Sequence, residues 1–274
     1  MALGSSVVWG TADFAGGSLS RRLPVLGVTL VSQAAGFAAL VVAVGVRGEI
    51  GGRSFAIGLA AGVGGGLGLA AFYRALSLGT MSVVSPIAAC GALVPFVLSL
   101  ATGERPARIA LVGAVAALAG AVLASVEERR AASHAPGRAR AVVLAVVAAV
   151  ALGFFVYFLG LGSREGDALS TLFGARVGSL TVLVVVAALI RAPVRIPRAS
   201  LAAVVAVGLA DVTANVLFAF ASRHGLLALV SVLGSLYPVV TVLLAHVLLG
   251  ERLTRAQRFG VVLALGGVAV IAGA

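Results

Sequence analysis

The sequence predicts an all-α integral membrane protein: ten transmembrane helices arranged as two inverted five-helix repeats. Three observations carry this. The 274 residues are 61% hydrophobic and 11% charged, with a mean hydropathy of +1.17. A soluble domain carries roughly 25% charged residues, so too few polar groups exist here to cover a water-facing surface. The apolar residues fall into ten runs, each near the ~20 residues that a helix needs to span hydrocarbon. Finally, the phrase "GERPAR" at 103–108 returns 147 positions later as "GERLTR" at 250–255.

In order, the runs are 2–20, 25–46, 54–77, 80–101, 109–126, 141–162, 168–190, 199–221, 226–249 and 257–274. Lipid gives backbone groups no partner, so a spanning run must be a helix unless a barrel closes. These runs are too long and too continuously apolar for barrel strands. The first lacks the charged leader of a cleavable signal and is expected to stay in the mature chain. The third holds Gly58, Gly62 and Gly66 beside Gly64 and Gly68, a spacing of small residues that lets helices approach closely. Its "GVGGGLG" stretch has no following Lys-Ser/Thr, so it is not a phosphate loop. Pro86, Pro95 and Pro238 interrupt the fourth and ninth runs, where each removes a backbone donor and favours a kink. The longest gap, 127–140, is a basic linker that divides the chain into a first unit, 1–126, and a second, 141–274.

Those units resemble each other. Setting 103–120 against 250–267 matches nine of eighteen positions, including the frame G-E-R-x-x-R-x-x-x-x-G. Upstream, "GTMSVVS" at 79–85 aligns with "GLLALVS" at 225–231. Five helices is an odd number, so the second repeat must cross the membrane in the opposite sense. Inverted repeats mark secondary transporters, whose substrate site lies near the midplane between the halves. A duplication kept in a membrane protein that transports nothing is the competing reading. The repeated phrase itself reads as punctuation: Glu104 and Glu251 would each face the positive N-terminal end of the next helix, while neighbouring arginines meet headgroups.

The net charge of +11 comes from 20 basic residues, all arginine. They sit in the short gaps, which fits anchoring to the bilayer surface and not nucleic-acid binding. Twelve fall in the odd-numbered gaps and six in the even-numbered ones, so the positive-inside rule puts the odd gaps in the cytoplasm. The single Cys90 makes no internal disulfide and no metal cluster. No H-E-x-x-H or G-x-S-x-G motif occurs, so the residues give no enzyme, and no cofactor is expected.

Ionisable residues inside spans are costly, and four stand out: Asp13, Arg74, Arg176 and Asp211. Read as functional, Asp13 or Asp211 binds a proton or a cationic group, and Arg74 or Arg176 holds a substrate carboxylate or phosphate. Read as structural, they are static ion pairs, or an arginine snorkelling from a helix end in the case of Arg74. Trp9 lies one turn before Asp13 and so shares its face. Phe14, Tyr73, Tyr157 and Tyr237 extend an aromatic lining suited to a small amphipathic solute; packing is the plainer role for such rings. Asn215, Gln33 and Ser85 are polar groups within spans, for which hydrogen bonding between helices is the plain account. His246, near the end of the ninth run, reads as a structural histidine.

Trp9-Gly10, the stretch "LYPVVTVLLAHVLLGERLTRAQRFGVVLALGGVAVI" at 236–271, and its weaker first copy at 85–123 resemble the EamA-type transporters of the drug/metabolite transporter superfamily. That resemblance implies ten helices, two inverted repeats, a central cavity, alternating access and termini in the cytoplasm. The last point opposes the arginine count. The chain departs from the second-half pattern at Gly91, which stands where Pro238 does, with Pro95 four residues later. The resulting expectation is a permease of the cytoplasmic membrane, a secondary transporter moving a small polar or amphipathic metabolite, with protons as a candidate coupling ion. Its partners are that small-molecule substrate and the lipid bilayer; a monomer is compatible with the sequence. A passive channel or facilitator and a non-transporting scaffold are the alternatives.

Overall fold

The computed structural model describes residues 1–20, 22–78, 87–88, 90–124, 138–249 and 253–274. Ser85, Pro86, Glu251 and nearly all of the linker at 127–140 lie outside the described residues, as does the side chain of Tyr73. The helices are α1 Ala2–Ser20, α2 Val25–Arg47, α3 Gly52–Leu78, α4 Leu93–Ala101, α5 Arg108–Ala124, α6 Arg138–Glu165, α7 Ala168–Leu189, α8 Arg198–His224, α9 Leu227–Gly234, α10 Tyr237–Leu249 and α11 Arg255–Ala272. A 3-10 turn at Cys90–Ala92 leads into α4. Among the described residues there is no strand. Among the described residues, seven helical stretches are long and apolar enough to cross a membrane, α9 and α10 counting as one; α1, expected to span, is not one of them. Residues 90–101 and α5 are shorter apolar helices.

The ninth run differs from the single helix expected for 226–249. It breaks after Gly234, and α10 restarts at Tyr237 with Pro238 second. Proline is favoured in a first turn because its missing N–H would have had no intrahelical partner there. Ser235 N–H still closes onto the Ser231 carbonyl at 2.9 Å, and Val239 N–H takes up Leu236 at 3.0 Å. Pro95 occupies the first turn of α4 in the same way. The interruption at Pro238 is therefore a helix restart, whereas at Pro95 a 3-10 turn runs on into α4 without a break.

Small residues decide which helices touch. A Cβ on Gly113 would stand 2.8 Å from the Gly267 carbonyl, and one on Gly120 would stand 2.7 Å from the Gly260 carbonyl, so α5 and α11 lie antiparallel with their backbones in contact. Gly58 and Gly62 of α3 abut Thr171 and Ala175 of α7, while Gly64 and Gly68 meet Ala151 and Leu152 of α6. This is the close approach the glycine spacing predicts. On the other side, α8 packs on α1 and α2, and α10 packs on α1. A Cβ on Gly10 would stand 2.7 Å from the Tyr237 carbonyl and against Val240, while one on Gly153 would stand 2.5 Å from the Gly91 carbonyl and against Val94.

Helix alternation places residues 1, 48–51, 102–107, 166–167, 225–226 and 274 on one face, called here the terminal face. Asp167 caps α7 there, accepting from Ser170 N–H at 2.8 Å and from the Arg47 guanidinium. Arg53 pairs with Glu165 at 3.5 Å. Glu104 corrects an expectation. It does not serve the next helix, α5; it accepts from Leu227 N–H at 2.9 Å and Ala228 N–H at 2.8 Å, at the start of α9. The reason is local: Leu226, the N-cap residue of α9, has no side-chain acceptor to offer, and helix N-termini carry unpaired donors.

Candidate functional site

Three helices contribute to a polar network inside the bundle. Arg176 of α7 is 6% exposed. Its Nη2 donates to Asp211 Oδ2 of α8 at 2.8 Å, and its Nη1 donates to Gln33 Oε1 of α2. Ser179, one turn along α7, donates to the same Gln33 oxygen at 3.1 Å. Asn215, one turn after Asp211, donates to the Asp211 carbonyl at 2.6 Å and to its Oδ2 at 3.2 Å. Gly36 makes the space: a Cβ there would press against the guanidinium at 3.4 Å. A buried arginine is tolerated only when its charge is matched and its donors are used, and this network meets both needs.

Asp13 is the second carboxylate. It is exposed on the surface of α1, among the helices packed on α1. It lies within electrostatic reach of Asp211 and of Tyr237. Those groups sit on α8 and α10, the helices that pack against α1, so Asp13 faces the bundle interior. With Arg176 matched by Asp211, Asp13 brings the excess negative charge to this group.

Aromatic residues surround the same level. Trp9 is half-buried and packs on Phe218 of α8 with ring centroids 5.5 Å apart. Tyr157 is buried and meets Phe158 edge-on, also at 5.5 Å. Phe14 and Tyr237 are half-buried. Thr241 ties α10 to α1, its hydroxyl donating to the Gly10 carbonyl at 3.1 Å or to that of Tyr237 at 3.0 Å.

The structure thus joins Arg176, Asp211 and Asn215 directly, and sets Asp13 and Tyr237 beside them. Trp9 and Tyr157 share one apolar core with Phe218. Arg74, in the last turns of α3, is exposed. Gln33 emerges as the hub between Arg176 and Ser179. Its sequence signal was a lone amide in an apolar run. Ser179 gave none, since serine is ordinary in such helices.

A family model described as the EamA-like transporter family matches residues 139–273. A solved structure described only as "Crystal structure of protein" superposes with a TM-score of 0.77 at 22% identity, covering 98% of this chain and 94% of that one. That likeness shows the fold. No curated protein matches the chain. The second half of the chain, residues 139–273, is thus similar to the EamA-like transporter family.

Proposed function

We propose that this multi-pass membrane protein is a secondary active transporter. It moves a small polar or amphipathic metabolite across the cytoplasmic membrane by alternating access of two inverted halves, 1–126 and 141–274, with Asp13 as the proton-carrying group. One observation carries the reading: an exposed carboxyl midway along α1, within electrostatic reach of a second carboxyl whose charge an arginine already matches. A carboxyl in such a place is costly unless it is used. Protonating Asp13 removes the unmatched charge, so solute binding and proton binding can be coupled through it.

Alternating access draws support from the way contacts exchange between the halves. Gly113 aligns with Gly260 and Gly120 with Gly267; Gly113 meets Gly267 while Gly120 meets Gly260. Gly10 packs close to Tyr237 and Val240, and Gly153 close to Gly91 and Val94, a similar pairing one residue out of the register that sets Gly91 against Pro238. Self-complementary contact of this kind is what a two-fold axis produces. Across an antiparallel pair such as α5 and α11, that axis lies in the membrane plane. Trp9, Phe14, Tyr157 and Tyr237 are then the apolar wall against which a solute rests. Asn215 and Asp211 orient its polar end, and Arg176 acts chiefly by positioning Asp211. Arg74, being exposed near a helix end, is the charge that a solute meets on the way in.

The test is uptake into proteoliposomes. The wild type is expected to show pH-driven uptake and solute counterflow, and Asp13→Asn to lose the first and keep the second. A channel would give flux without counterflow, and a scaffold would give neither. Unchanged pH-driven uptake in both Asp13→Asn and Asp211→Asn would remove the proposed proton carriers.

A further inference from the structure

At the terminal face a cavity of about 610 Å³ opens between the halves, lined by residues that include Ser99, Glu104, Arg105, Tyr157, Arg164 and Leu227. Glu104 is one of its lining residues, in the loop between α4 and α5 of the first half. Every strong partner of its carboxylate belongs to the second half. Arg164, in the last turn of α6, donates a charge-assisted hydrogen bond. Leu227 and Ala228, the first residues of α9, donate their backbone N–H groups. The Glu104 side chain is 10% exposed, so the contact is largely withdrawn from water. Beneath the cavity, Tyr157 and Leu227 enter the same buried core as Trp9 and Phe218.

We propose that Glu104 is a latch. It holds the terminal-face mouth of the solute path shut, and the cavity outside it is the vestibule of that mouth. The proposal rests on the transporter reading. Alternating access requires α9 and the loop at 102–107 to separate at this face and to rejoin there. A carboxylate bound to two N–H groups and a guanidinium joins them strongly, because bonds to a charged acceptor are roughly twice as strong as neutral ones. The latch is also reversible. On opening, all three donors and the carboxylate face the vestibule, where water replaces each bond. An apolar seal at the same place would have to expose hydrocarbon to open. Ser99, in the lining yet only 1% exposed, reports the state of the mouth. Its carbonyl accepts from Glu104 N–H at 3.0 Å, and its buried hydroxyl has no partner among the described residues.

The experiment places a single thiol at Ser99→Cys in the full chain carrying Cys90→Ser, and measures its reaction with a small water-soluble maleimide. With Glu104 intact the thiol should react slowly. Glu104→Gln, whose amide turns an N–H toward the α9 donors or the guanidinium, should raise the rate about tenfold or more. Arg164→Gln keeps both backbone bonds, so it should fold and give a smaller rise. Trp9 fluorescence through a thermal melt checks that each variant is folded. Folded Glu104→Gln and Arg164→Gln proteins that label no faster than their parent would overturn the latch. Should Glu104→Gln fail to fold, Arg164→Gln alone decides by the same criterion. If labelling responds as stated while no solute is taken up by the wild type, the latch stands and the transporter reading falls.

Discussion

Arg176 donates through Nη2 to Asp211 Oδ2 at 2.8 Å, joining α7 to α8 inside the bundle. Removing one partner leaves the other charge buried and unmatched, at a cost of roughly 3–5 kcal/mol. Arg176→Leu is therefore expected to lower the thermal midpoint steeply. Adding Asp211→Asn to Arg176→Leu should recover a good part of the loss. A double-mutant cycle in detergent measures the coupling; strictly additive losses would show that the two side chains do not stabilise one another.

Trp9 is the only tryptophan, and it packs on Phe218 one helical turn from Asp13. Its emission thus reports the level at which solute is proposed to bind. A transported metabolite is expected to change that emission with a saturating concentration dependence, and Trp9→Phe should abolish the signal while keeping uptake. Asp13→Asn should weaken the change about tenfold for a cationic solute, consistent with the loss of one charge-assisted bond. A solute that is carried yet leaves the emission untouched would place its site elsewhere.

Much of the fold is legible in the residues. The limits of the runs 2–20 and 168–190 fall within a residue of α1 and α7, although of the two only α7 is apolar enough to cross a membrane. The network is half legible. Arg176, Asp211 and Asn215 announce themselves by their cost in lipid, but nothing in the order of residues says that Gln33, 143 positions before Arg176, is their neighbour. Glu104 reads as serving its own loop because the order of residues gives its neighbours along the chain and not those across the bundle. The break before Pro238 reads as a kink for a related reason. Proline marks a lost donor, and only packing decides whether the helix bends or restarts.

Asp167 makes a pH prediction. Burial would raise its carboxyl, but hydrogen bonds from Arg47 and Ser170 outweigh that and hold it below the usual carboxylate value. A folded value below the unfolded one means that stabilisation is present above about pH 4 and is lost as pH falls through the folded value. Asp167→Ala should cost about 1 kcal/mol at pH 7, as loss of an N-cap does. The gap between variant and wild type should close below about pH 4. Asp167→Asn retains a capping oxygen and should cost less than Asp167→Ala. A pH-independent gap for Asp167→Ala would show that the charge contributes nothing.

The last prediction separates glycines that are required from glycines that are not. A Cβ on Gly208 of α8 would collide with the backbone of Ser32 on α2, and Ser32 lies one residue from Gln33. Backbone cannot rotate out of the way as a side chain can. Gly208→Ala must therefore push α2 and α8 apart, at about 1–3 kcal/mol for an overpacked site. The displacement also carries Gln33 away from Arg176, so Gly208→Ala should disturb the polar network as well as the packing. Gly266 of α11 has nothing within 4 Å of its Cβ position. Gly266→Ala should instead stabilise slightly, since alanine is the better helix former by about 1 kcal/mol. Thermal midpoints of the two variants, read beside Trp9 emission, test both statements. Equal midpoints would mean that the α2–α8 contact is looser than this geometry requires.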